Sequence, residues 1–85
     1  MTLPAIKEEF IVINTLEEGI DKLCKYGLPS FMKHNDNKWS CKVNMFVATK
    51  GASFEINGGY QNLTLKEAIQ NCLENIYLTL SQLNK

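Results

Sequence analysis

Any catalytic chemistry in this 85-residue chain would have to come from its one histidine, His34, and its three cysteines, Cys24, Cys41 and Cys72. A histidine serves as a base when an acid orients it and a nucleophile lies within reach. His34 opens the run His34-Asn35-Asp36-Asn37, a turn-forming cluster whose neighbours do not supply that geometry. It is expected as a solvent-exposed turn residue. The cysteines are odd in number and widely spaced, without the C-x-x-C pairs of a disulfide framework or zinc site. Each falls on an apolar face of its segment, which predicts three small buried hydrophobes in a reducing compartment.

The other chemistry-bearing groups read the same way. Glu8-Glu9 and Glu17-Glu18 are adjacent pairs, and neighbours on a helix point about 100° apart, so neither pair builds an acid–base site. Glu17 and Glu18 are better placed to favour a helix N-terminus. Gly51, Gly58 and Gly59 lack the G-x-x-x-x-G-K pattern of a phosphate loop and are expected to serve turn geometry. No catalytic residue, metal or cofactor is expected, and the chain is not expected to be an enzyme.

Charge is more suggestive. Residues 1–21 set Lys7 against Glu8, Glu9, Glu17, Glu18 and Asp21, a net of −4. Residues 22–50 set six lysines (22, 25, 33, 38, 42 and 50) against Asp36, a net of +5. Residues 51–85 come to −1, so a basic middle lies between acidic flanks. Every cation is lysine, although arginine is the usual residue for bidentate contact with phosphate and guanine. The longest apolar run, Phe10-Ile11-Val12-Ile13, is too short to span a bilayer, and the N-terminus lacks a basic-then-apolar leader pattern. A cytoplasmic protein is expected.

Positioning these residues falls to a short series of elements within one domain. In the first 26 residues, Ile6, Phe10, Ile13, Ile20 and Cys24 recur at helical spacing, and Gly27 would suit the position just past a helix end. Against one long helix, Phe10 to Thr15 is β-branched and ends in a capping box of Thr15 with Glu18. A helix from Leu16 to Tyr26 is predicted, and residues 4–14 are left as helix or strand. Ser30 to Lys33 fits a short edge strand. Trp39, Cys41, Val43, Met45 and Val47 alternate with Lys38, Ser40, Lys42, Asn44 and Phe46, so the first set is predicted to face inward. A hairpin turn at Thr49-Lys50-Gly51 leads to a returning strand with Ala52, Phe54 and Ile56 inward. The last helix opens at a second capping box, Thr64 with Glu67, with Leu63 and Ala68 as a hydrophobic staple. Leu65, Ile69, Cys72, Ile76, Leu80 and Leu83 form its apolar stripe. The prediction is an α+β fold: a small antiparallel sheet of two or three strands with both helices on the face of Trp39, Val43 and Phe54.

The order helix, three strands, helix resembles the double-stranded-RNA-binding domain over about residues 15–83. That family places a basic cluster at the start of its last helix and a Gly-Pro-x-His motif between its first two strands. The matching positions here, Thr64-Leu65-Lys66-Glu67-Ala68 and His34-Asn35-Asp36-Asn37, depart from both. The run from Trp39 to Leu73 (W-x-C-x-V, then G-x-S-F-E-I, then T-L-K-E-A-I-x-x-C-L) is similar to small orphan proteins encoded by phages and prophages. That likeness implies an accessory role, such as occluding a host protein.

The leading expectation is a non-enzymatic protein-binding module. Its contact residues are expected at Lys38, Lys42 and Phe46, on the polar sheet face, and at Tyr77 and Leu78, off the main stripe of the last helix. The alternative is nucleic-acid binding through the basic middle. A homodimer is the third expectation, since a chain of this size buries only roughly 60–65% of its unfolded surface and has a thin margin of stability.

Overall fold

A computed structural model describes residues 10–34, 37–47, 51–59 and 64–83. Helix α1 spans Leu16–Cys24. Strands β1 (Gly27–Lys33), β2 (Trp39–Val47) and β3 (Ala52–Gly58) follow, and helix α2 spans Leu65–Leu83. The three strands form one antiparallel sheet in the order β1-β2-β3, and both helices pack on one face of it. This is the predicted α+β arrangement. The Asn35-Asp36 turn, Lys50, the Leu63 staple and residues 4–9 lie outside the described residues.

Capping sets where each helix begins. The Thr15 hydroxyl accepts the Glu18 N–H at 3.1 Å, and the Glu18 carboxylate accepts the Asn14 N–H at 2.9 Å. Thr64 accepts the Glu67 N–H at 3.1 Å and donates its hydroxyl to the Glu67 carboxylate at 2.9 Å. Upstream of α1, Phe10 and Ile11 are helical and residues 12–14 are not, so the chain breaks where the capping box requires. Lys22 holds this segment: its ammonium donates to the Val12 carbonyl at 2.7 Å and the Phe10 carbonyl at 3.4 Å.

Helix α1 is shorter than predicted and ends without a left-handed residue. Lys25 caps it in right-handed helical conformation, and the Tyr26 N–H bonds back to the Leu23 carbonyl at 3.0 Å. Gly27 therefore does not end the helix. It begins β1, where an added Cβ would collide with the Asn44 carbonyl of β2. Pro29 lies in β1, an edge strand, where its missing N–H costs no ladder bond.

The core is the layer between sheet and helices. Val43 and Met45 from β2 and Ile69, Cys72, Leu73 and Ile76 from α2 are fully buried, with Leu23 of α1 beside them. Phe10 joins them and packs its ring at a tilt against Tyr26 and edge-on against Tyr77, with ring centroids 5.5 and 5.4 Å apart. Gly58 and Gly59 let the helix come down onto the sheet. A Cβ at Gly58 would lie 2.6 Å from the Cys72 Cα and 2.9 Å from the Asn71 carbonyl carbon. Gly59, at φ +84°, bears on Ala68, and its N–H donates to the Asn71 side chain at 2.8 Å. The predicted turn role fits Gly51, at φ +60°; Gly58 is required by close approach instead.

Candidate functional site: the outer face of the sheet

With both helices on one side, the other side of the sheet carries the side chains that alternate away from the core. The register puts Leu28, Asn44 and Glu55 in one cross-strand row and Ser30, Lys42 and Asn57 in the next. Met32 lies opposite Ser40, and Phe46 opposite Ser53. Three large apolar side chains on this face meet water: Leu28 at 83% exposed, Phe46 at 61% and Met32 at 60%. Phe46 is the diagonal neighbour of Leu28, a spacing of roughly 7–8 Å that long side chains bridge. The face thus has an apolar corner at Leu28 and Phe46 and a second apolar point at Met32. Between them is a shallow hollow of about 260 Å³ lined by Ser30, Lys42, Glu55 and Asn57 among others.

Backbone phase tells which strand edges are open. The His34 N–H donates to the Lys38 carbonyl at 2.7 Å, so even-numbered β1 residues point their backbone groups at β2. Pro29 then points outward, which its lack of an N–H requires. On the far side, the Asn57 carbonyl accepts the Asn75 side-chain amide at 2.6 Å and so also points away from β2. By the same alternation Ser53 and Glu55 present backbone groups along the β3 edge. A second hollow of about 380 Å³ runs beside that edge, lined by Glu55, Asn57, Asn75, Leu78, Thr79 and Gln82. Glu55 and Asn57 border both hollows, so the surface continues from the sheet face around the β3 edge to Leu78.

The five predicted contact residues divide between two layers. Lys42 and Phe46 lie on the outer face of β2, and Lys38 sits one residue before that strand. Tyr77 and Leu78 are on α2, on the opposite side of the sheet. Tyr77 is half-buried against Phe10, whereas Leu78 is 46% exposed in the hollow beside β3. Leu28 and Met32 were missed. Met32 falls in the expected edge strand Ser30 to Lys33, but its face was not assigned; Gly27 and Pro29 hid the earlier part that carries Leu28, and the phase that Pro29 imposes on an edge strand is the signal that would have placed both.

His34 is half-buried rather than exposed: its Nε2 lies 3.0 Å from the Ser40 hydroxyl. This contact and the Lys38 bond close the β1–β2 connection. Cys24 is exposed on α1, unlike the buried Cys41 and Cys72. The lysines of the basic middle are spread over different surroundings. Lys22 binds the Phe10 and Val12 carbonyls, Lys33 lies 5.9 Å over the Trp39 ring, and Lys42 is on the outer face. Among the described residues, no group of three or more His, Cys, Asp or Glu is placed to hold a metal ion. Among them, too, no helix is long and apolar enough to cross a membrane. Comparison with protein-family models, curated proteins and solved structures finds no match to this chain.

Proposed function

We propose that this chain is a small, non-enzymatic protein-binding module that docks its partner on the outer face of the sheet. The observation that carries the reading is the grouping of Leu28, Met32 and Phe46, each more than half exposed, on the face opposite the helices. Apolar side chains gathered on one face, with polar neighbours between them, mark interaction surfaces. Lys42 and Glu55 give the hollow one charge of each sign, which favours a partner that brings polar groups to the hollow and apolar groups to its two ends. In this reading the role is an accessory one in the cytoplasm, acting by covering part of a host protein.

Nucleic-acid binding is the competing reading, and the dispersal of the central lysines weighs against it. Contact with several phosphates makes affinity fall steeply with salt. Partner capture from the native host, identified by mass spectrometry, should be lost in a Met32→Ala/Lys42→Glu/Phe46→Ala variant that melts like the wild type. Undiminished capture by that variant, together with loss on Leu78→Lys, would move the site to α2. Micromolar, salt-sensitive binding to duplex RNA or DNA would replace the protein-binding reading.

A further inference from the structure

Two of the three thiols are brought together where the helix touches the sheet. Cys41 pairs across the ladder with Gly58. The backbone phase makes this a hydrogen-bonded pair, with Cα atoms about 5.5 Å apart. Gly58 in turn bears on α2, so close that a Cβ there would lie 2.6 Å from the Cys72 Cα. One side-chain-free residue thus separates the two cysteine backbones. Both cysteines face the core beside it, and the Cys72 sulfur lies 3.7 Å from the Ile56 carbonyl oxygen in the same strand as Gly58. Cys41 is 2% exposed and Cys72 0%. A disulfide spans Cα atoms roughly 4.4–6.8 Å apart, and one ladder step of about 5.5 Å together with the tight contact of Gly58 on Cys72 puts the two cysteines near the upper end of that span.

We infer that Cys41 and Cys72 form an oxidative crosslinking site, at which a peroxide converts the two thiols to a disulfide that fastens β2 to α2 within the folded domain. Cys41 is the attacking sulfur. Its hydrogen bond with Cys72 holds its pKa below the usual thiol value, while the same bond and burial push that of Cys72 up. The Cys41 thiolate attacks one peroxide oxygen, the O–O bond breaks, and the departing hydroxide takes up a proton and leaves as water. The resulting sulfenic acid is attacked by the Cys72 sulfur: the S–S bond forms, the S–O bond breaks, and the hydroxyl leaves as water with the Cys72 proton. Two thiols give up two electrons and two protons to one peroxide, which becomes two waters. Because both sulfurs are buried, the oxidant enters only through local opening of the sheet–helix seam. Exposed Cys24, on α1, reacts faster but has no partner in this seam.

The test uses the folded full chain carrying Cys24→Ser, treated with hydrogen peroxide, quenched, and labelled with a thiol reagent in denaturant. Labelled thiols should fall from two to none, with a crosslinked peptide joining the Cys41 and Cys72 segments, and dithiothreitol should restore both. The oxidised form should melt roughly 10 °C or more above the reduced form, since the bridge closes a loop of about 30 residues. A Cys24→Ser/Cys41→Ser chain should give no crosslink and keep its single thiol largely protected. The inference is overturned if both thiols still label fully, if only one is lost, or if the crosslink forms only after unfolding.

Discussion

Replacing Gly58 by alanine probes the seat of α2 on the sheet. The added methyl would collide with the backbone nitrogen of Cys72, lie 2.6 Å from its Cα, and lie 2.9 Å from the Asn71 carbonyl carbon. Carbon atoms in contact rest at about 3.5–4.0 Å, so the helix must back away by roughly 1 Å. The obstructing atoms are backbone, and no rotamer change relieves them. Overpacking of this kind costs about 1–3 kcal/mol, and alanine returns about 0.4–1 kcal/mol by restricting the unfolded chain. The net loss is about 1–2 kcal/mol, or a Tm lower by roughly 5–15 °C for a domain of this size. Two other glycines calibrate the result. At Gly19 a Cβ would meet the Ile13 Cδ1, the far end of its side chain, and the Ile69 Cγ2, a methyl fixed on a β-branched carbon, each at 2.7 Å. The gain in helix propensity of about 1 kcal/mol offsets only part of that crowding, so Gly19→Ala should be destabilising but less so than Gly58→Ala. Gly51 has open space but φ +60°, which costs about 1–2 kcal/mol with a Cβ present. Thermal unfolding followed by far-UV circular dichroism reads all three. A Gly58→Ala melt within 2 °C of wild type, or a larger loss at Gly19 than at Gly58, would refute the close-packed seam.

Three further outcomes follow from the same packing. Ile76→Ala should cost about 2–5 kcal/mol in urea unfolding, because Ile76 is fully buried, whereas Leu78→Ala, two residues on, should stay within about 0.5 kcal/mol. Thr64→Ala removes both hydrogen bonds that the Thr64 hydroxyl makes with Glu67 and should cost about 1 kcal/mol, with Thr64→Ser recovering most of it. Tyr26 is held above the ordinary tyrosine pKa by burial, which disfavours its phenolate. Its contribution is therefore complete below about pH 10, where the unfolded chain begins to ionise, and is lost as pH rises through the higher folded value. Urea unfolding between pH 8 and pH 11 should show that alkaline loss reduced in Tyr26→Phe.

The sequence was most legible where local signals and burial agree. α2 begins at its capping box and turns the stripe from Leu65 to Leu83 onto the core, with Ile69 to Leu80 of that stripe buried, and β2 turns its odd-numbered side chains inward, with Cys41, Val43 and Met45 buried. β1 was legible only from Ser30 onward. Gly27 and Pro29 normally terminate helices, and here they serve an edge strand whose register puts Leu28 and Met32 in water. The reason for Gly58 lies in a contact with a helix beginning seven residues later, which no local pattern encodes. The hold of Lys22 on the Phe10 and Val12 carbonyls is also long-range. Of the candidate site, Lys42 and Phe46 were readable from alternation in β2. Joining them to Leu28 and Met32 needed the cross-strand register, and separating them from Tyr77 and Leu78 needed the layer order.

The measurement that bears most directly on the outer sheet face is site-specific photo-crosslinking in the native host. A photoreactive phenylalanine is placed in turn at Leu28, Met32 and Phe46, and at Lys66 on the solvent side of α2. One shared adduct of higher mass is expected from the three sheet positions and none from Lys66. Adducts from Lys66 alone, or none from any strand position when the captured partner is present, would contradict it.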